Sequence, residues 1–424
     1  MDRTVGWDEQ MSGSAKKKVL VTMPAMFLGG AETSLLGLLD AFDPDRFDVS
    51  LFLYRHEGEL MPHIPAHVRL LPERGPYTCF ERPVKRVLFS RYFHLGLTRL
   101  LAKIHLRLKC LLTGERPSTW KTMQFTARWM LPFLPLLPGR YDLALMFLGI
   151  PSLLDKKVRA KVKVAWVHTD YHTLRPDRAY DRRMYGMVDY VAHVSEACRQ
   201  SFLDFYPALA GKTLVIENIL PLNFVRGQAL AFNPVKEMPP VSFRLLSVGR
   251  FSDAKNFDNV PDICRRLVAQ GHNVVWYLIG YGAQEPLIRQ RVQEAGMEDR
   301  VIILGKKDNP YPYLKACDLY VQPSRYEGKS VAVREAQMLG KPVVITRYKT
   351  ASDQLEDGVD GLIVPMDNAG CAAGIAELIQ NGSKREALEM ACLTRDYTNS
   401  EAVTVLTGLH TGPASEENIG HDED

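Results

Sequence analysis

Two glutamates eight residues apart, Glu327 and Glu335, lie in a stretch whose pattern predicts a ligand site. The apolar run before them, residues 319–322, is typical of a buried strand that leads into a loop. Residues 331–339 are rich in helix formers and Gly340 supplies a stop, so the loop carries the first carboxylate and the helix carries the second. A strand, an acidic loop and a helix N-terminus together favour a polar ligand that carries phosphate. On spacing alone, both glutamates could equally be solvated residues of a helix surface.

A cationic loop follows another predicted strand, residues 244–248, and contains Gly249, Arg250 and Lys255. Glycine lets the backbone approach a bound group, Arg250 offers a rigid fork of donors, and Lys255 offers a mobile ammonium. Together these groups match the charge of a diphosphate. Alone, the pattern G-R-x4-K is weak and more typical of a solvated loop.

The first half of the chain contributes two further candidates. Gly29 and Gly30 follow a predicted strand at 18–23 and open a predicted helix, but they do not form the GxGxxG fingerprint, which argues against a nicotinamide cofactor. A simple tight turn remains an alternative for them. His168 comes directly after a predicted strand at 162–167, at the edge where open α/β sheets bind ligands. A lone histidine is more often structural than catalytic.

Short apolar runs alternate with helical patterns along the chain, and at 424 residues two domains are expected. The first series of predicted strands covers 18–23, 48–54, 143–148, 162–167, 190–194 and 213–219, and the second covers 244–248, 273–279, 301–304, 319–322 and 343–346. Between them, proline and glycine interrupt the pattern over residues 223–240, which we interpret as a linker. The pattern predicts an α/β fold of two Rossmann-like, doubly wound parallel-sheet domains that face each other across a cleft.

Composition limits the possible partners and compartment. The formal net charge of +4 is small for this length, so we expect no nucleic-acid partner. The seven cysteines show no CxxC spacing or finger-like pairing with histidine, which is typical of a reducing cytoplasm. No uncharged stretch approaches the roughly 20 residues that cross a bilayer.

A basic segment, residues 85–140, contains eleven lysines and arginines against one acid, Glu115, and interleaves them with leucines and aromatic residues. This composition suits a helix that lies on an anionic membrane surface. A core-facing helix with a solvated basic face is an equally open interpretation, and a nucleic-acid surface ranks third.

The motif E-x7-E between Tyr-Glu-Gly and Gly-Lys-Pro-Val-Val resembles that of retaining, nucleotide-sugar-dependent glycosyltransferases of the GT-B fold, the group 1 or family 4-like enzymes. The variant Glu327-Gly328-Lys329-Ser330-Val331 is similar to enzymes of bacterial capsule or exopolysaccharide assembly. It departs from the usual Glu-Gly-Phe-Gly-Leu, so the pocket near the sugar and phosphate is expected to differ.

The resemblance implies a role for each candidate. Arg250 and Lys255 would bind the donor diphosphate, Glu327 a hydroxyl of the donor sugar, and Glu335 the ribose. His168 would contact the transferred sugar, and it is grouped with Arg250, Lys255 and Glu327 as catalytic. The remaining donor-binding residues implied by the resemblance are Gly29, Gly30, Gly249, Gly280, Lys306, Gly328, Ser330 and Val331.

The resemblance also implies a function and a domain plan. The chain is expected to move a hexose from a UDP-, GDP- or ADP-sugar to a lipid-linked or polysaccharide acceptor, with retention and with neither metal nor cofactor. A non-catalytic sugar-nucleotide-binding or scaffolding subunit is the alternative. The location expected is the cytoplasm, peripheral to the inner face of the cell membrane. The plan is a disordered leader (1–16), an acceptor-side domain (17–222), the linker (223–240), a nucleotide-sugar-binding domain (241–395), a helix that crosses back (396–410) and a disordered acidic tail (411–424).

Overall fold

The computed structural model describes residues 16–240 and 242–409, which form two domains built on parallel sheets. The predicted leader (apart from Lys16) and the predicted tail lie outside the described residues. The strands of the first sheet are β1 (Lys17–Met23), β2 (Phe47–Leu53), β3 (Arg69–Leu70), β4 (Tyr141–Met146), β5 (Ala160–Val167), β6 (Tyr190–His193) and β7 (Thr213–Val215). Their order across the sheet is β3-β2-β1-β4-β5-β6-β7, so it reverses direction beside β1.

Helices cover both faces of this sheet. They are α1 (Gly30–Asp40), α2 (Gly75–Thr78), α3 (Val84–Leu88), α4 (Phe93–Thr113), α5 (Thr119–Met130), α6 (Pro151–Lys157), α7 (Arg178–Gly186) and α8 (Glu196–Leu203). Helix α9 (Leu222–Gln228) follows them in the chain but packs on the second domain. A short 3-10 turn, Leu131–Phe133, follows α5. Helices α2 to α5 form an insertion between β3 and β4.

The second domain repeats the plan. Its strands are β8 (Phe243–Val248), β9 (Val274–Ile279), β10 (Val301–Gly305), β11 (Leu319–Gln322), β12 (Val343–Thr346) and β13 (Leu362–Val364), in the order β10-β9-β8-β11-β12-β13. Its helices are α10 (Val260–Ala269), α11 (Glu285–Glu294), α12 (Tyr311–Ala316), α13 (Val331–Met338), α14 (Ala351–Gln354), α15 (Asn368–Gln380) and α16 (Gly382–Thr394), and the chain ends its described part with α17 (Ala402–Thr407).

The sheets owe their stability to apolar layers on both faces. Strands buried on both sides read as nearly continuous apolar runs, as in β1 and β9, because helices cover each face. Leu406 of α17 is buried in the core of the first domain, although it follows the second domain in sequence. The last described helix therefore returns to the first domain.

Three of the predicted segments differ from the structure. The predicted linker overlaps α9, whose Val225 is fully buried against the second domain, because its apolar residues pack despite the surrounding prolines. The basic segment 85–140, whose composition suits a helix, is divided into α3, α4 and α5. The predicted strand at 213–219 stops at Val215, so residues 216–221 form the crossing to the second domain. In the ranges 16–240 and 242–409, every helix is too short or too polar to span a bilayer.

Candidate functional site

The candidate site is a cavity of about 400 Å³ between the two domains. Val248 and Ile279, the last residues of β8 and β9, line it from one side, and His168, directly after β5, lines it from the other. Doubly wound sheets bind ligands at this carboxyl edge, near the point where the strand order reverses. The lining residues are Leu28, Gly29, Gly30, Ala31, Thr33, His168, Asn218, Val248, Gly249, Arg250, Lys255, Ile279, Gly280, Tyr281, Lys306, Lys307, Pro310, Tyr311, Glu327, Lys329, Ser330, Val331, Ala332 and Glu335.

Two helix N-termini meet across the cleft. Helix α1 begins at Gly30 and α13 begins at Val331, and a Cβ atom on Gly30 would lie 3.3 Å from the Val331 side chain. The preceding residues, Gly29 and Ser330, do not cap their helices with a side-chain hydrogen bond. At α13, whose first turn carries no acidic residue, the free N–H groups and the positive end of the helix dipole are thus available to an anion in the cavity. At α1 the carboxylate of Glu32 already lies in the first turn.

Glu327 lies in the loop after β11 and is held by three donors. Its Oε1 accepts hydrogen bonds from Lys255 Nζ at 2.6 Å, Ser324 Oγ at 2.5 Å and Gln322 Nε2 at 3.2 Å. Its Oε2 has no hydrogen-bond partner among the described residues. The carboxylate is therefore fixed through Oε1, while Oε2 can accept a hydrogen bond from a hydroxyl of a ligand.

Glu335 lies one helical turn inside α13 and is only 6% exposed. Its Oε1 accepts a hydrogen bond from Tyr311 Oη at 2.7 Å, and within the described ranges no cation forms an ion pair with it. Burial disfavours the charged carboxylate and raises its pKa from 4.5 to about 7, while the Tyr311 hydrogen bond acts in the opposite direction. Glu335 can therefore change its protonation near neutral pH.

His168 is held in one tautomer. Its Nε2 donates to the backbone oxygen of Phe147 at 2.8 Å, and its ring stacks on Trp166 with 6.0 Å between ring centroids. Burial lowers its pKa to about 4, so the imidazole is neutral at pH 7. With the proton on Nε2, its Nδ1 is a hydrogen-bond acceptor in a residue that lines the cleft.

The cations of the cleft are in two different states. Arg250 is exposed and makes no hydrogen bond or ion pair within the described ranges, although its charge lowers the pKa of Glu32, which burial raises more strongly. Lys306 spans the cleft, with Nζ 2.7 Å from Oε1 of Glu59 in the first domain. Arg250 is therefore free to bind an anion, whereas Lys306 must exchange a carboxylate for it.

Backbone geometry makes glycine necessary at Gly280. Its φ of +151° is rarely adopted by other residues, and a Cβ atom there would lie 1.8 Å from the backbone oxygen of Gly249. Gly249 in turn packs against the Lys255 side chain, 3.1 Å from the position of a Cβ atom. This close packing brings the β8 and β9 loops together under the cavity.

Every site residue predicted from sequence lines the cavity except Gly328. This glycine faces the first domain instead, where a Cβ atom would lie 3.1 Å from Cys198 Sγ. The loop of Glu327 thus abuts the first domain directly. The individual roles given to these residues remain predictions.

Lys329, which replaces the usual aromatic residue of the motif, is buried and pairs with Glu217 of the crossing segment. Burial lowers the pKa of Lys329. Arg334 Nη2 lies 3.3 Å from the other oxygen of Glu217. The motif position expected near the donor sugar therefore carries a cation that is already neutralised by the first domain.

Sequence reasoning gave no site role to three residues that shape the site. Tyr311 orients Glu335; Asn218 lines the cavity and accepts from Ser34 Oγ at 3.0 Å; and Gln354 holds the start of α13 by accepting from the Ser330 N–H at 2.6 Å. Asn218 was hidden because the strand was predicted to continue past it. Tyr311 belongs to no local motif, so only tertiary contacts identify it. Gln354 is part of the pair Asp353-Gln354 that also carries the resemblance to capsule and exopolysaccharide enzymes, but its contact with α13 appears only in the structure.

No group of three or more histidine, cysteine, aspartate or glutamate side chains in residues 16–240 and 242–409 has the arrangement of a metal site. The prediction that no metal takes part is not tested by this observation.

Residues 233–391 match the sequence profile of the family described as glycosyl transferases group 1. The matched segment, called the group 1 domain below, makes up most of the second domain and contains Arg250, Lys255, Glu327 and Glu335, the cationic and acidic residues of the cleft.

Curated relatives match part of the chain. One is the lipopolysaccharide core biosynthesis glycosyltransferase LpsE of Rhizobium meliloti, 29% identical over 164 residues, which are 38% of this chain and 47% of the relative. Another is the N-acetylgalactosamine-N,N'-diacetylbacillosaminyl-diphospho-undecaprenol 4-alpha-N-acetylgalactosaminyltransferase of Campylobacter jejuni, 24% identical over 214 residues, which are 50% of this chain and 56% of the relative. The chain thus spans about half the length of these relatives.

The whole described chain is similar to solved structures. Anabaena HepE in complex with UDP and glucose superposes with a TM-score of 0.63 at 18% identity, covering 93% of this chain and 100% of HepE. At this identity the likeness establishes the fold, which is GT-B: two Rossmann-like domains, of which the second contains the group 1 domain.

Proposed function

We propose that the protein is a retaining glycosyltransferase that moves a hexose from a nucleoside diphosphate sugar to a lipid-linked or polysaccharide acceptor in surface-glycan synthesis. The observation that carries the proposal is the convergence on one cavity of an unpaired Arg250, two helix N-termini, and the carboxylates of Glu327 and Glu335. Cations and helix ends suit a diphosphate, and carboxylates suit the hydroxyls of two sugars. LpsE and the Campylobacter enzyme, both named as glycosyltransferases, support the same class.

In this proposal the donor lies between the domains. Its diphosphate binds Arg250, Lys255 and the N–H groups at the start of α13. A hydroxyl of its sugar donates a hydrogen bond to the free Oε2 of Glu327, and a hydroxyl of its ribose donates one to Glu335. The UDP in the HepE complex supports a uridine nucleotide, and GDP- and ADP-sugars remain in the proposal until the base is measured.

The transfer breaks the bond between the anomeric carbon and the diphosphate oxygen and forms a bond from an acceptor hydroxyl oxygen to the same carbon and the same face. The electron pair of the broken bond stays on the diphosphate, where Arg250, Lys255 and the α13 N-terminus stabilise the growing negative charge. The acceptor proton passes to that diphosphate oxygen, so no carboxylate of the protein acts as base. Nδ1 of the neutral His168 accepts from a hydroxyl of the transferred sugar and positions it.

We further propose that transfer requires no metal, since the two cations and the helix N-terminus can together offset the diphosphate charge. Transfer in the presence of excess EDTA should equal transfer without it. A loss of activity that Mg²⁺ or Mn²⁺ restores would overturn this part.

The acceptor side belongs to the first domain, and we propose that this domain works at the inner face of the cell membrane. The diphospho-undecaprenol in the name of the Campylobacter enzyme supports a lipid-linked acceptor. The basic segment 85–140, now seen as α3, α4 and α5, supports attachment to an anionic surface.

The test is thermal stabilisation by UDP-, GDP- and ADP-sugars of the native protein, Arg250→Ala, Glu335→Ala and the control Arg289→Ala. A ligand at about 100 times its Kd adds about 2.7 kcal/mol to the free energy of unfolding. We expect one donor class to raise the Tm of the native protein and the control, and a much smaller rise in the two cleft variants. No rise with any donor in folded protein would overturn the proposal.

Release of free sugar from the stabilising donor, measured without acceptor, separates an enzyme from a binding subunit. Slow hydrolysis that Lys255→Ala abolishes is the expected result. Stabilisation without hydrolysis, and without transfer to any lipid-linked or polysaccharide acceptor, would favour the non-catalytic alternative.

A further inference from the structure

A second cavity, of about 520 Å³, lies in the first domain among α5, α6 and α7, and is called the basic cavity below. Helix α6 leads from the end of β4 back to the start of β5, so its last residues, Lys156 and Lys157, lie at the sheet edge opposite the donor cleft. The basic cavity is therefore separate from the candidate active site. Its lining residues are Lys109, Arg128, Leu131, Pro132, Ser152, Lys156, Lys157, Asp177, Ala179, Tyr180, Arg183, Met184 and Met187.

Five cations and one carboxylate line the basic cavity. The carboxylate, Asp177, already pairs with Lys109. The side chains of Arg128, Lys157 and Arg183 make no hydrogen bond or ion pair within the described ranges. Like charges that face one cavity without a counter-ion repel each other, so an anion that enters the cavity relieves this repulsion.

Two pKa directions agree with this charge arrangement. Burial lowers the pKa of Lys157, as expected for an ammonium without a carboxylate partner. Burial raises the pKa of Tyr180, whereas the positive charges of Arg128 and Arg183 lower it, which places both guanidinium groups beside the cavity wall.

The rest of the wall is apolar. Leu131, Pro132, Met184 and Met187 line it, with hydroxyls from Ser152 and Tyr180 between them. An inorganic anion or a sugar acid would leave this apolar surface uncovered. An anion joined to an apolar body would use both parts.

Next to this cavity, α4 is apolar on both faces. Its buried face packs on the domain, and its outer face carries apolar side chains at helical spacing, each more than 40% exposed: Phe93, Leu97, Leu100, Ile104, Leu108 and Leu111. In the part of the chain that the structure describes, no segment covers this outer face. A row this long, about 30 Å at 1.5 Å per residue, is unusual for a surface that only water contacts.

The outer face of α4 and the basic cavity share a neighbour. Phe133, in the turn after α5, is exposed and lies with its ring centroid 6.3 Å from that of His94 at the start of α4. The residues before it, Leu131 and Pro132, line the basic cavity. The apolar row is therefore linked to the cavity through one short turn.

We propose that the basic cavity binds the phosphate of an anionic phospholipid headgroup while the outer face of α4 enters the acyl boundary of the same membrane. This proposal deepens the membrane attachment of the proposed function and does not depend on the donor site. Lys103 and Arg107 border the outer face of α4 and complement an anionic surface. A second copy of this chain is disfavoured as the occupant because two-fold pairing through the α4 faces would bring these cations toward their own copies.

The test is co-sedimentation of the full chain with vesicles of phosphatidylcholine that carry equal negative charge from either phosphatidylglycerol or oleate. Oleate supplies charge without phosphate. The cavity variant is Arg128→Ala/Arg183→Ala. The charge-matched flank variant is Lys103→Ala/Arg107→Ala, and Arg289→Ala in the second domain is the remote control.

We expect native protein to prefer phosphatidylglycerol vesicles over oleate vesicles, and only the cavity variant to lose that preference. The cavity variant should bind phosphatidylglycerol vesicles about 30-fold more weakly, since each cation at an anionic surface contributes about a factor of five. The flank variant should lose binding to both vesicle types in equal proportion, and the remote control should bind as the native protein does.

Equal binding to both anionic vesicles by native protein, or an unchanged preference in the cavity variant, would overturn the proposal. A rise in Tm with glycerol 3-phosphate alone, lost in the cavity variant and without vesicle binding, would assign the cavity to a soluble phosphate and also overturn it. Retained stabilisation by a nucleotide sugar in the cavity variant shows that it is folded, so failure here is distinct from failure of the proposed glycosyl transfer.

Discussion

The protonation of Glu335 makes donor affinity a function of pH. Among the described residues its buried carboxyl accepts a hydrogen bond from the Tyr311 hydroxyl alone, and burial raises its pKa from 4.5 to about 7. A ribose that donates hydroxyl hydrogen bonds prefers the carboxylate, which accepts through both oxygens. Donor binding therefore lowers the pKa of Glu335 and releases a proton wherever the free protein holds one.

The magnitude follows from the pKa of about 7. At pH 8 about nine-tenths of the free protein carries the carboxylate and at pH 6 about one-tenth, so the Kd for the donor should rise about ten-fold, or ~1.4 kcal/mol, between them. The ionisation of Glu335 acts in the opposite direction on folding: a higher pH strengthens donor binding but lowers the free energy of unfolding of the free protein. An acid whose folded pKa is raised loses stability as pH rises from about 4.5 to about 7, so Glu335→Gln should increase the free energy of unfolding at pH 8 by up to about 3 kcal/mol.

The assay is isothermal titration calorimetry with the nucleotide sugar that stabilises the protein, at pH 6 and pH 8, in buffers of different ionisation enthalpy. A nucleotide sugar is used rather than a free nucleotide, because the terminal phosphate of a free nucleotide has a pKa of about 6 and would itself change charge between the two pH values. We expect close to one proton released per donor at pH 6 and little at pH 8. Glu335→Gln should bind more weakly than native protein at pH 8 and show neither proton release nor pH dependence. An equal Kd at both pH values in native protein, or the same pH dependence in Glu335→Gln, would refute the reasoning.

Three other expectations follow from contacts in the structure. Arg250→Ala should leave Tm unchanged, because its guanidinium has no partner among the described residues, and should weaken donor binding about 10- to 100-fold through the loss of a charge-assisted hydrogen bond. Arg289→Ala, on α11 outside the cleft, is the control for donor binding. Asp181→Ala should lower the free energy of unfolding by about 3 kcal/mol or more, measured by urea titration, because four donors, three of them buried and one partly buried, share that carboxylate. Leu406→Ala should cost about 2 to 5 kcal/mol in the same titration, and a cost equal to that of the exposed Val405→Ala would contradict its place in the core.

The sequence predicted the fold because its signals are local and periodic. Apolar runs that alternate with helical patterns define parallel strands and their crossovers, and all the long strands appear where they were expected. The two-residue strand β3 and the three-residue strand β13 were missed, since a period cannot be recognised over so few positions. The helix α9 was missed because prolines around it dominated the local pattern.

The candidate site was predictable where one short motif carries it. The pattern around the two glutamates placed Glu327 in a loop and Glu335 in the helix that follows it. Arg250 could be placed because it comes directly after a clear apolar strand pattern. Tyr311 and Asn218 were not predictable, since they reach the cleft from separate segments and belong to no spacing pattern. The partner of Lys329 was equally hidden, because Glu217 lies 112 residues earlier in the chain.

The return of α17 to the first domain has a consequence during synthesis of the chain. Leu406 completes a core whose other layers are made of residues up to Ile219, so that core stays open until the ribosome has made almost two hundred more residues. Domains emerging from the ribosome generally fold as units, the N-terminal one first, but here the first unit waits for the last described helix. Until then its apolar surface is exposed, and chaperone contact with the nascent chain should persist through translation of the whole second domain.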